Sequence, residues 1–185
     1  MDDAPGLLPP DLLDRVAARL EIAELLARYC RGIDRCDASE LDRVFADDAA
    51  IDYGSGAQGK PATCAGLLAA VGAMRLTQHA IGNIIIEFEG SRARTETYCV
   101  ALHILGEPGS ETEMTVGGRY LDTLEQRPGG WRIVERLYVM DWNRQGPATM
   151  RVEGGLYDVL QRRGGRKPAD PLYRRTIADG GSTAS

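Results

Sequence analysis

Apolar residues recur at helical intervals over residues 11–33, at Leu13, Val16, Leu20, Ala23, Leu26, Cys30 and Ile33, and this spacing predicts one long amphipathic helix. Asp37 and Glu40 then stand in a D-x-x-E arrangement ahead of Leu41, Val44 and Phe45, the capping-box signature of a second, shorter helix. Residues 50–53 read as a short strand. The glycines that follow, Gly54, Gly56 and Gly59, mark a loop leading to a third helix near residues 61–74. From Thr77 onward the period changes. Residues 78–89, 92–105, 113–126 and 131–143 read as four strands. Their separators are Glu89-Gly90-Ser91, a Gly- and Pro-containing loop after Leu105, and Pro128-Gly129-Gly130. Helices that precede such hairpin-linked strands must cover one face of the sheet, which makes a layered α+β domain.

At 185 residues and 43% hydrophobic content, the chain suits a single core. The division expected is a tail at 1–9, one domain at 10–146, and an extension at 147–185 that is partly flexible. Beyond Gly146 the chain is rich in glycine and arginine, and weak structure is expected from Gly164 on. A net charge of −5 without any sustained run of like charge argues against nucleic acid as a partner. No apolar run approaches the roughly 20 residues that cross a bilayer, and residues 1–10 lack a signal core, so no membrane partner and a cytoplasmic location are expected. Cys30, Cys36, Cys64 and Cys99 show no C-x-x-C pairing and are expected as buried, reduced thiols. No metal is expected either, because His79 and His103 are far apart and no cysteine stands at zinc-ligand spacing from them.

Several stretches, taken in order, resemble a known family. They are Arg28-Tyr29-Cys30-Arg31-Gly32-Ile33-Asp34, residues 41–48 with Ile51-Asp52-Tyr53-Gly54, Thr77-Gln78-His79-Ala80-Ile81-Gly82-Asn83, Gly117-Gly118-Arg119-Tyr120-Leu121-Asp122, and Gly130-Trp131-Arg132-Ile133 running to Met140-Asp141-Trp142. The set is similar to SnoaL-like domains of the nuclear-transport-factor-2-like superfamily and spans roughly residues 10–145. The resemblance implies an α+β cone, a long helix and two shorter ones packed on a curved antiparallel or mixed sheet, around a deep apolar pocket, assembled as dimers or trimers. Members similar in these motifs include scytalone dehydratase, hexachlorocyclohexane dehydrochlorinase and bile-acid dehydratase, which eliminate without a cofactor. Their shared aspartate and histidine fall on Asp34 and His79, a tyrosine of the bile-acid dehydratase falls on Tyr29, and several members have one near Tyr53. The implied ligand is a hydrophobic or aromatic small molecule.

Removing a proton from carbon suits a neutral imidazole. His79 is therefore the candidate base, Asp34 the carboxylate that orients it, and Tyr29 and Tyr53 the candidate hydrogen-bond donors to developing charge. His103, Asn83 and Trp142 are candidate substrate contacts. Each has a structural alternative: Asp34 as a helix cap, His79 and His103 as core or surface histidines, the tyrosines as packing residues. Trp131 and Trp142 also suit the ends of a core strand, with Trp142 alternatively at the pocket mouth. The pairs Arg162-Arg163 and Arg166-Lys167 are either an anion site or solvated charge. Strict alternation sets His79 opposite Ile84, Ile86 and Phe88, so an inward His79 requires a β-bulge, for which Gly82-Asn83 is the natural place. Tyr29 stands about 140° from Asp34 around an ideal helix, so the two converge only if the chain bends near Gly32.

The functions open at this stage are a lyase that releases water or another small group, a carbon–carbon cleavage that releases formaldehyde, and an isomerase or cyclase akin to ketosteroid isomerase. A noncatalytic binding module or the small subunit of an aromatic-ring dioxygenase is also open, since a fold alone does not fix an activity.

Overall fold

In the computed structural model, which describes residues 10–175, the chain opens with α1 (Pro10–Arg35), α2 (Ala38–Val44), β1 (Phe45–Asp52), the short β2 (Gln58–Gly59) and α3 (Lys60–Gly72). Four long strands follow, β3 (Leu76–Glu89), β4 (Arg92–Leu105), β5 (Thr112–Arg127) and β6 (Gly130–Pro147). They form one sheet of order β2-β1-β6-β5-β4-β3. β3 to β6 are joined antiparallel, while β1 runs parallel to β6, so the sheet is mixed and the α+β expectation holds. Residues 1–9 and 176–185 lie outside the described residues, and with them the expected amino-terminal tail.

Ile22, Leu26 and Ile33 of α1 pack with Leu41, Val44, Phe45, Ile51, Leu124 and Ile133 into the core. The buried stripe of α1 is shorter than the helix. Leu13, Val16 and Leu20, which the helical period placed with the core, are exposed, because packing starts only at Ala18 and Ile22. α2 also departs from its expected cap. Asp37 accepts from Ser39, but Glu40 turns away from a capping box to pair with Arg31 and Arg28. Phe45 belongs to β1, which starts directly after α2 instead of at residue 50.

Besides one in β1, between Phe45 and Ala50, three register shifts in the long strands decide which residues face inward. The shift between Ile81 and Ile84 lies at Gly82-Asn83, where the facing of His79 required it. Upstream, Thr77, His79 and Ile81 pair with the inward His103, Ala101 and Cys99; downstream, Ile84 and Ile86 take over the same face. A second shift between Thr123 and Leu124 turns both Ile133 and Arg136 inward and leaves Leu137 outside, 44% exposed. A third separates Gly117 from Gly118.

Candidate active site

α1 ends at a left-handed Cys36, φ 51°, whose N–H donates to Ile33 O (3.2 Å) while the Asp37 N–H donates to Gly32 O (2.8 Å). This is a Schellman ending, set on a residue for which the left-handed conformation costs about 1 kcal/mol. Gly32 is needed for the approach of α2, since a Cβ there would come within 3.0 Å of Glu40 and Leu41; α1 runs through it uninterrupted.

The helix end presents Asp34 to the start of β3. Asp34 Oδ1 lies 2.7 Å from His79 Nδ1, and Oδ2 accepts the His79 backbone N–H at 2.8 Å. The side chains of His79 and Asp34 are only 8% and 10% exposed. An ionised carboxylate only accepts hydrogen bonds, so this network assigns the ring proton to Nδ1 and leaves the Nε2 lone pair free to take a proton. Because the same carboxylate also holds the backbone of His79, the ring is fixed at two points.

His103 stands edge-on to His79 with ring centroids 5.5 Å apart. It is buried, and its Nδ1 has no hydrogen-bond partner among the described residues. Burial, and after it the neighbouring His79, push its pKa below the usual histidine value. His103 is therefore a neutral imidazole beside the pair, and its surface alternative falls away.

A cavity of about 1140 Å³ opens against the pair, lined by Asp34, Thr77, His79 and, from the extension, Val152, Tyr157 and Leu160. It is a broad groove between the start of β3 and residues 150–166, large enough for a ligand of drug size. The extension is thus part of the site. Arg166 donates to Asp34 O, Thr77 Oγ1, Val71 O and Met74 O, and Lys167 pairs with Asp37 at 2.8 Å. The expectation of weak structure from Gly164, with Arg166 and Lys167 as solvated charge, is overturned up to residue 175. Long-range hydrogen bonds to α1, β3 and the end of α3 hold this segment where its own composition signals no order.

Tyr29 and Tyr53 meet elsewhere. Their hydroxyls hydrogen-bond each other and not the His79–Asp34 pair. Burial raises the pKa of both, so both keep their protons as potential donors. Beside them Arg136 forms a bidentate pair with Asp122, two bonds of 2.7 Å between side chains with no solvent exposure. The guanidinium carbon sits 4.1 Å from the ring centroids of both Tyr29 and Tyr120, within cation–π range. Burial works against its charge, but Asp122 outweighs it and the group stays protonated. Arg136 Nη1 is buried without a partner among the described residues. Sequence reading did not single out Arg136; it named Asp122 only as part of a motif and Arg166 only as an anion site or solvated charge.

Two candidate substrate contacts are corrected. Asn83 is exposed in the bulge, and the extra residue serves by switching strand facing. Trp142 is neither core nor pocket mouth. It lies over Gly117, whose added Cβ would sit 2.1 Å from the indole, and the alternation from Gly118 and Tyr120 puts it on the outer sheet face, 48% exposed. Trp131 is buried as expected, with the indole N–H unpartnered among the described residues. All four cysteines are free, although Cys36 and Cys64 are only partly buried.

A model of the SnoaL-like domain matches residues 14–137. An uncharacterized protein of Mycobacterium tuberculosis is 31% identical over 125 residues, covering 66% of this chain and 84% of its own. Among solved structures, hexachlorocyclohexane dehydrochlorinase LinA-type3 from Novosphingobium barchaimii superimposes with a TM-score of 0.63 at 23% identity, over 74% of this chain and 94% of that one. A candidate scytalone dehydratase of Novosphingobium aromaticivorans gives a TM-score of 0.63 at 22% identity, over 74% and 91%. At these identities the structural likeness speaks for the fold.

Proposed function

Since the chain belongs to the SnoaL-like domain family, we propose that it is a cofactor-independent lyase, one that removes a proton from carbon and expels a small group from an apolar, ring-containing molecule. The observation that carries this reading is the Asp34–His79 contact of 2.7 Å at the wall of an open cavity. His79 Nε2 takes the proton, the C–H electron pair becomes the new C=C bond, and the leaving group departs with the electrons of its bond to the neighbouring carbon. Asp34 holds the ring and stabilises the imidazolium that forms. If the leaving group is hydroxide, the same imidazolium returns the proton to it as water. His103, neutral and edge-on, keeps a second positive charge away from the base. Two structural neighbours are named for a dehydratase and a dehydrochlorinase, eliminations of the kind proposed.

The test is turnover of a panel of cyclic alcohols, halides and aryl diols by the wild-type protein and by His79→Gln. The lyase reading expects a 10²–10⁴-fold loss, roughly the share of a positioned general base. A wild-type protein that binds members of the panel with an affinity unchanged by His79→Gln, and turns none over, would make it a binding module.

A further inference from the structure

We propose that Arg166, in the carboxy-terminal extension, is a positioning residue for the Asp34–His79 pair; the catalytic meaning of this role rests on the lyase reading above. At the end of α1, as at any helix end, the last carbonyls lack intrahelical partners. Gly32 O and Ile33 O are satisfied by Asp37 and Cys36 of the turn itself. The next two are satisfied from far along the chain: Asp34 O by the Arg166 guanidinium and Arg35 O by the Lys167 backbone N–H at 2.8 Å. The further contact to Asp34 O, from Arg35 Nη1, is long at 3.5 Å.

The same Arg166 Nη1 donates to Thr77 Oγ1 at 2.8 Å. Thr77 is buried and precedes His79 by two residues on the same strand face. One nitrogen therefore joins the backbone of Asp34 to the strand that carries His79. Nη2 completes the clamp on Val71 O (2.7 Å) and Met74 O (3.3 Å) at the end of α3. Only a planar, forked cation reaches four such acceptors; a lysine ammonium cannot span them. The bond from His79 Nδ1 to Asp34 needs the relative placement of α1 and β3 that this clamp fixes. A carboxylate on a freed helix end would let the ring rotate and sample its other tautomer.

The imidazole NMR signals read this directly, because the chain has only two histidines and His79→Gln assigns them. In the wild-type protein, a downfield, slowly exchanging Nδ1–H signal from His79 is expected. In Arg166→Ala this proton should exchange with solvent about tenfold faster or more, and the ring ¹⁵N shifts should move toward a mixture of tautomers. Arg166→Lys should behave like the alanine variant, since charge alone does not rebuild the fork. Lys167→Ala, which loosens the same segment without touching Asp34 or Thr77, should keep the signal. Thr77→Val, which removes one acceptor and nearly conserves shape, gives the intermediate case if Arg166→Ala does not fold.

A wild-type signal in folded Arg166→Ala, or in Thr77→Val where the alanine variant fails to fold, overturns the proposal, as does an equal loss in Lys167→Ala. No substrate enters the measurement. A chain without lyase activity whose His79 signal collapses in Arg166→Ala would sink the proposed function and keep the positioning role; a retained signal alongside lyase turnover would do the reverse.

Discussion

Two acid–base pairs face the inside of the same sheet, and they are built for opposite purposes. Asp34 and His79 meet at the wall of a broad cavity. The basic member of this pair is an imidazole, a ring that can take up and give back a proton, and one of its nitrogens is left free. Asp122 and Arg136 are sealed at zero exposure between tyrosine rings. A guanidinium does not give up its proton in a protein, so this pair supplies a fixed charge, and moving a proton belongs to the other. What separates the two is access together with the kind of base that was buried.

The contrast breaks most easily at the sealed pair. Asp122→Ala leaves a buried guanidinium without its counter-charge and should cost about 3–5 kcal/mol in chemical denaturation, whereas the double variant Asp122→Leu/Arg136→Met should recover most of that loss. A cost below about 1 kcal/mol would mean that water reaches Arg136 and that the two pairs differ less than their exposure implies.

Asp37 is an intermediate case, a buried carboxylate at the N-cap of α2 whose lysine partner is partly exposed. Burial alone would raise its pKa, but the hydrogen bonds from Lys167, Ser39 and Tyr173 hold it down to about 2. A depressed carboxylate pKa stabilises the folded state above the unfolded value near 4, and that stability is lost as pH falls through about 2. Asp37→Asn should therefore cost about 1 kcal/mol at pH 6, screening included, with the difference from wild type closing between pH 4 and 2. A pH-independent difference would assign the effect to the helix cap alone.

The smallest effect is expected at the accessible pair. The amide that His79→Gln introduces can still donate to Asp34, so this substitution should change the unfolding free energy by less than about 1 kcal/mol. A loss as large as that of Asp122→Ala would make the histidine a structural residue and erase the contrast.

The histidine pair was legible through the resemblance to SnoaL-like domains, and the arginine pair was not legible at all. Both depend on a bulge that reverses strand facing. Around His79 the sequence advertises it: Ile84, Ile86 and Phe88 fix the inward face downstream, and Gly82-Asn83 offers a soft place for an extra residue. In β6 no glycine marks the shift near Val134, and plain alternation from Trp131 and Ile133 would continue inward through Leu137 and put Arg136 in water. The structure does the opposite. The limits of β3, β4 and β5 and the presence of three helices followed closely from local pattern, whereas β1 begins at Phe45, ahead of its expected start at residue 50, and β2 falls where a loop was expected. The inward arginine and the clamp by Arg166 are long-range facts, carried by no periodicity in their own segments.

The extension divides its labour along its length. After its start, where the Ala148 N–H bonds Glu111 O, its anchors to the rest of the chain are Arg166, Lys167, Asp170 and Tyr173. The part that lines the groove is tied mainly to itself, through Asp158 accepting from the Gly154 N–H and Arg163 donating to Val152 O and Tyr157 O. For anyone wishing to redirect the protein to new molecules, Met150, Val152, Tyr157 and Leu160 therefore form an exchangeable cassette. A library at those four sites varies what reaches His79 while the frame that aims it stays constant.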